Sequence, residues 1–336
     1  MRFGEVLEEA KESAEVSNIL LNVSEYYNID AATESLVAMS SAYKDLEKIE
    51  IVDKLNEVGN NYAISTDGLA TALQSSASAL VTAGNDIDEA IALATAGNAV
   101  TQDPDKVGTG LRTISLRITG TEAAKEELEE LGEDTSDFIV RTKAKSQQAI
   151  KDFTRVASNS FQGFDILDEN GNFKSTYEIM LGISEIYQEI VETDKKYGSN
   201  MKNGLLETLA GKNRSNIAAS ILQNPEILKA SYESSQNAEG SAQDELQKYL
   251  ESLEGHVSRF KNAVDQLIND LVSSDLLKWI IDFATNVVKA TDALVKFATP
   301  LGTVLGLGAG IAGAKGLGLT NYVTYHSLRV PFYKIA

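Results

Sequence analysis

Apolar residues recur every three or four positions along most of the chain, the spacing of amphipathic helices. Val6, Ala10, Ser13/Ala14, Ser17 and Leu20/Leu21 form the first series. Asn28-Ile29-Asp30 breaks it, with Asp30 read as the N-cap of the next helix. Leu36, Met39, Tyr43, Leu46 and Ile49 carry the pattern on, and Gly59-Asn60-Asn61 closes the region. Shorter helices follow. Ser65-Thr66-Asp67 starts one with Leu69, Leu73, Ala77 and Leu80 on its apolar face. Gly84-Asn85-Asp86 ends it and caps the next, which carries Ile87, Ala90/Ile91 and Ala94. Asp103-Pro104 opens a third, because an Asp cap followed by proline is preorganised for helix. Val107, Leu111, Ile114 and Ile118 line that helix, Gly120 ends it, and Thr121-Glu122 starts a charged helix through Leu131.

The pattern changes at Phe164 to Phe173. Asn170-Gly171 between apolar positions is a strong short-range signal for a hairpin or turn. A calcium loop does not fit. With Gly171 at the sixth loop position, Ile166 and Tyr177 fall where carboxylate ligands belong. Helical spacing resumes with Tyr177, Met180, Ile183, Tyr187 and Ile190. Two shorter helices follow around Leu205–Leu209 and Ile217–Leu222, and Pro225 starts another that ends near Gly240.

From there the spacing tightens to 4-3-4-3. Leu246, Leu250, Leu253, Val257, Phe260, Val264, Leu267 and Leu271 form a heptad seam. After a phase shift at Ser273-Ser274-Asp275, Leu277, Ile281, Ala284, Val288, Thr291 and Val295 take it up again. The seam fits a helix packed on its own chain and fits equally a helix paired with another copy. The expected fold is all-α: a multi-helix bundle with long heptad-patterned helices and one short β-hairpin or turn near 164–173. The expected divisions are a helical domain at 1–160 with a core at 60–120, a hairpin with short helices at 161–240, coiled-coil-like helices at 241–297, a glycine-rich apolar segment at 298–319 and an irregular tail at 320–336.

Phe297 to Ala314 carries no charge. As a helix it would span about 27 Å, against about 30 Å for a bilayer core. Gly302, Gly306, Gly310 and Ala314 repeat every fourth residue and give one small-residue face. The glycines dilute hydrophobicity, and Pro300 sits near the start. A transmembrane segment that inserts conditionally, a buried soluble helix and a linker all remain open. Gly308 to Gly313 spells G-x-G-x-x-G, but a long helical region precedes it where a dinucleotide site needs a strand.

Charge and composition narrow the function. The net charge is −19, so the chain should repel nucleic acid rather than grip its phosphates. No direct nucleic-acid binding is expected. Cysteine is absent, which removes thiolate chemistry and cysteine-based zinc sites. The only histidines, His256 and His326, stand in no metal-ligand spacing. The densest carboxylates, Glu126-Glu127 and Glu129-Glu130, read as a solvated helix face. Met1 to Val16 is acidic and lacks the order of a secretory signal. The expectation is a non-enzyme with no catalytic residue, no cofactor and no metal.

One ordered succession is family-like. Leu69 to Leu73 is followed by the small-residue stretch Ala77 to Ala83, the acidic helix Ile87 to Ala94, Gly97-Asn98-Ala99, and Gly108-Thr109-Gly110-Leu111-Arg112-Thr113-Ile114. Asp168-Glu169-Asn170-Gly171 and Leu209 to Asn216 continue it. Over about half the chain, roughly Asn60 to Asn224, it resembles the core helical domain of phage tail tape measure proteins of the TP901 type. That resemblance implies a virion protein of the tail lumen, made in the bacterial host cytoplasm. Its expected work is setting tail length and supporting tail assembly, with tail tube and assembly proteins and other copies of itself as partners. It also implies exit at infection, at which the apolar segment 297–314, read from its own composition, would insert into the host membrane and aid DNA passage. Tape measures are usually much longer, so a fragment, a prophage remnant or one piece of a split gene is expected. The alternative class is a membrane-active, pore- or toxin-like helical protein unrelated to tails.

Overall fold

The computed structural model describes residues 3–26, 28–155 and 162–252. The chain divides into two compact units, one of Ile19–Ala242 and one of Met1–Asn18 with Gln243–Ala336. In the described residues every regular element is helical: α1 (Phe3–Asn22), α2 (Ile29–Ala42), α3 (Lys48–Asn61), α4 (Thr66–Thr82), α5 (Ile87–Thr101), α6 (Pro104–Thr119), α7 (Glu122–Glu130), α8 (Lys143–Thr154), α9 (Thr176–Tyr197), α10 (Met201–Gln223) and α11 (Pro225–Gln236). Residues 241–252 are also helical. The all-α expectation holds.

Helix starts are set by local chemistry. Ser65, Asp86, Asp103, Thr121 and Ser175 each accept a hydrogen bond from the backbone N–H three residues on. Such a cap contributes about 1 kcal/mol. Pro104 and Pro225 stand in first turns, where a missing N–H costs nothing. Two details depart from the sequence reading. The cap of α2 is Asn28, whose backbone is extended and whose Oδ1 accepts from Ala31 N at 2.9 Å; Asp30 falls inside the first turn. The apolar series from Leu36 to Ile49 is broken rather than continuous. α2 stops at Ala42, and Glu47 and Glu50 form a capping box that starts α3. α8 has no counterpart among the elements read from the pattern.

The turn near 164–173 is present as one antiparallel bridge, Leu167 with Phe173. Asp168 closes it, its Oδ1 accepting from Asn170 N at 2.9 Å and Asn172 N at 2.7 Å. Those backbone bonds hold the Asp168 carboxyl below the usual range. The side chain serves its own turn.

The core of the larger unit is built around α5. Ten of its residues from Ile87 to Asn98 are buried, on all sides rather than along one stripe. A helix apolar all round belongs in the middle of a fold. It packs against α11, α10, α6 and α4, while α4 lies against α6 and α10 against α6 and α9. Hydrogen bonds within the bundle reach its polar groups: Thr95 Oγ1 donates to Ile91 O, Asn98 Nδ2 to Ala63 O, and Ser220 Oγ of α10 to Ala96 O. Leu69, Leu73, Leu80, Ile91, Leu93, Leu111 and Ile114 are fully buried. Each stabilises the fold by about 1.5–3 kcal/mol against exposure.

Candidate functional site

The α5–α6–α10 junction brings together two of the segments that make the ordered succession of the sequence. Gly97 of α5 and Gly110 of α6 both meet Ile217 of α10, while Gly108 of α6 faces α4. A Cβ on Gly110 would sit 2.7 Å from Ile217 Cγ1 and 3.0 Å from Ile217 Cβ. A Cβ on Gly97 would lie 3.0 Å from Val107 Cγ1 and 3.6 Å from Ile217 Cγ2. A Cβ on Gly108 would fall on the Ala72 carbonyl oxygen of α4. These glycines are therefore contact surfaces between helices.

A buried cation completes the junction. Arg117 near the end of α6 is 6% exposed. Its Nη2 pairs with Asp137 and donates to Asp134 O at 3.3 Å, and its guanidinium lies 5.4 Å from the Phe138 ring centroid. Phe138 in turn packs on Leu116, Ala124 and Leu128. Across from it, α10 is kinked at Gly211 (φ 68°, ψ 174°), backbone that only glycine adopts without strain. A Cβ at Gly211 would lie 2.7 Å from the Arg117 Cζ. The break at Gly211 makes room for the guanidinium, and it separates the two shorter helices expected from the sequence, one on each side of it. Arg214, three residues on, pairs with Glu133. The two arginines hold the first half of the connection between α7 and α8 at two points. A cleft of about 180 Å³ opens beside it, lined by Arg117, Asp137, Ile139, Arg141 and Glu207 among others. The charge of Arg117 is matched by Asp137, so the pair fixes a loop.

The second polar cluster is at the start of α5. Asp86 Oδ1 accepts from Glu89 N at 2.8 Å, and Glu89 Oε2 accepts from Asp86 N at 3.2 Å. Glu89 Oε1 also accepts from Ser175 Oγ, the cap of α9, at 3.0 Å. Asn85 Oδ1 accepts from Tyr177 N at 2.9 Å, so two helix starts are tied together. The Tyr177 and Tyr232 rings stack alongside at 5.0 Å. Burial, chiefly, with Asp86 and Glu178 nearby, pushes the Glu89 carboxyl up to about 7 against the Ser175 bond, which favours its charge. Burial also pushes the Tyr177 phenol up to about 12.

A pH dependence follows. The folded state holds the Glu89 proton up to about pH 7, whereas the unfolded chain releases it near 4.5. Stability from this group is fully present below about 4.5 and falls as pH rises to about 7. Urea midpoints between pH 5 and 8 should decline for the native chain. Glu89→Gln should flatten that decline and be the more stable form at pH 7.5; parallel curves for the two proteins would contradict the assignment.

The seam residues named from the sequence fall partly within view. Leu246 is buried and Leu250 half-buried on helical residues 241–252. Leu253, Val257, Phe260, Val264, Leu267 and Leu271 lie outside the described residues, as do Gly302, Gly306, Gly310, Ala314, His256, His326 and the 320–336 tail. No helix among the described residues is long and apolar enough to cross a membrane, and the 297–314 segment lies outside them. Among the described residues no group of three acidic or imidazole side chains is placed to hold a metal ion. The carboxylates of α7 do form a largely solvated face, with Glu127 paired to Arg112.

Sequence reasoning missed Arg117 and Asp137. One signal was available: Arg117 sits beside Ile118 on the apolar stripe of α6, where a solvated arginine does not belong. Residues 6–222, which contain the whole junction, match the model of the family described as phage-related minor tail protein. No solved structure matches the chain.

Proposed function

Since the chain belongs to the phage-related minor tail protein family, we propose that this structural component of a phage tail acts as a tape measure, setting tail length and supporting assembly of the tube around it. The family membership carries the reading. The glycine junction supports it, because two of the segments on which the tape-measure resemblance rests, those of Gly97 and Gly110, meet there. Net charge of −19 suits a protein that shares a tube with DNA.

The two parts of the chain would do different work. Helices of the larger unit run from 9 to 23 residues and fold back on one another. A folded-back bundle adds little length, so we assign it to assembly with other tail proteins. Reach would come from the heptad stretch, Leu246 to Val295. A helix rises about 1.5 Å per residue, so an in-frame deletion of four heptads there should shorten tails by about 42 Å. Electron microscopy of tails from a propagating phage reads this directly, and unchanged length would remove the ruler role from that stretch. In the same reading, 297–314 would insert into the host membrane only on delivery. A peptide of that segment should make liposomes leak; intact liposomes would end the membrane part of the proposal.

A further inference from the structure

We propose that the cleft where the α7–α8 connection meets α10 binds a carboxylate carried on a small apolar body, with Arg141 as the group that holds its charge.

The arginines of the described residues show why. Arg112, Arg117, Arg155 and Arg214 each pair with a carboxylate of this chain. Arg141 does not. Its backbone N–H donates to Gly120 O at 2.7 Å, but its guanidinium makes no ion pair and no hydrogen bond among the described residues. It is not a freely solvated side chain either, for it is half-buried in the lining of the cleft. Burial first, and then the Arg117 cation, lower the Arg141 guanidinium from its usual value. Both effects work against its charge, in a chain with 49 acidic residues against 30 basic ones. A half-buried cation left unmatched where acids are plentiful marks a place for an anion from outside.

The rest of the lining says which anion. Phe138, Ile139 and Phe153 supply apolar wall, and Ile139 is 61% exposed at the open side. Gly204 lets the Phe153 ring lie against α10, since a Cβ there would fall on that ring. The Thr208 hydroxyl also lines the cleft and makes no hydrogen bond among the described residues, so a second donor is free. Asp137 and Glu207 share the lining. Asp137 already matches Arg117, and Glu207 is exposed and beyond ion-pair reach of Arg141. One guanidinium is therefore left over, beside two carboxylates that would repel a phosphate dianion; a singly charged acid fits. The volume of about 180 Å³ is below the roughly 300 Å³ at which drug-sized pockets begin, and near the roughly 150 Å³ that holds one benzene ring. The occupant is thus one ring or one side chain with its carboxylate: a free apolar acid, or the last residue of another polypeptide, which carries both groups on one Cα.

The test uses the full chain and 4-fluorobenzoate, followed by ¹⁹F NMR of the ligand at millimolar concentration. The benzoate line should broaden with added protein, and the uncharged 4-fluorobenzamide should bind about tenfold more weakly. Arg141→Gln should weaken benzoate about tenfold while leaving the urea midpoint unchanged or raised, because the cation it removes has no partner in the chain; a purely structural arginine would lower the midpoint instead. Glu207→Gln, at an exposed position, should tighten benzoate about twofold. A tripeptide ending in phenylalanine, with its carboxylate free or amidated, distinguishes the two sources. If the free form competes more strongly than benzoate and the amide does not compete, the ligand is a chain end; if benzoate is the stronger, it is a free acid. Failure of every carboxylate to bind, or binding that Arg141→Gln leaves unchanged, overturns the site.

Discussion

Replacing Gly108 with alanine should cost the fold about 2 kcal/mol, even though alanine is the better helix former by about 1 kcal/mol. The new Cβ would fall on the Ala72 carbonyl oxygen and lie 3.0 Å from Ala72 Cα. Both are backbone atoms, so no rotamer change relieves the overlap. α4 and α6 must part, and with them the packing between their buried faces. Gly110→Ala should cost less. Its Cβ would meet Ile217, a side chain, though a β-branched one with little freedom. The two substitutions are separated by a third. Ile217→Ala removes the atoms that Gly110→Ala would strike, so the double variant should lose less than the sum of the singles, by about 1 kcal/mol or more. Ile217→Ala combined with Gly108→Ala should simply add. Urea titrations followed by far-ultraviolet circular dichroism provide all five free energies. Additivity in the Gly110 pair would show that Gly110 is not held as glycine by Ile217.

Much of this bundle was legible in the residue order because its signals are local. Ser65, Asp103-Pro104 and Thr121 each announce a helix within four residues, and Asn170-Gly171 announces a turn. Those features depend on backbone groups that are neighbours in the chain. The break at Tyr43–Glu47 was hidden for the converse reason: Leu46 and Ile49 keep the apolar spacing while the Glu47–Glu50 capping box restarts the helix beneath it. The junction was harder still. Gly108 lies 36 residues from Ala72 and Gly110 lies 107 residues from Ile217, and a glycine looks alike whether it breaks a helix or admits a neighbour. Only packing decides between them. The succession of small-residue segments hinted at that decision, since glycines that recur inside helices of good formers have a steric reason to be there.

The Arg117–Asp137 pair lies at the far limit of legibility, and it carries the second large expectation. Asp137→Ala should destabilise the unit by about 3–5 kcal/mol. It leaves a guanidinium that is 6% exposed with one carbonyl, at 3.3 Å, and an aromatic face. Its Nε makes no hydrogen bond even in the native arrangement. Arg117→Met should cost far less. It removes the buried charge, fills similar volume against Gly211 and leaves behind only Asp137, whose side chain is 20% exposed and can turn to water. The pair therefore predicts an order that a simple count of ion pairs would not: loss of the acid is severe, loss of the base is mild, and Arg117→Met with Asp137→Ala resembles Arg117→Met alone. The readouts are denaturation midpoints and trypsin cleavage after Arg141, which should rise first in Asp137→Ala because the connection between α7 and α8 then loses its ion pair with α6. If Arg117→Met proved as damaging as Asp137→Ala, the attraction itself would outweigh the cost of burying the charge, and the kink at Gly211 would have to be read as built around the arginine for strength rather than for shape.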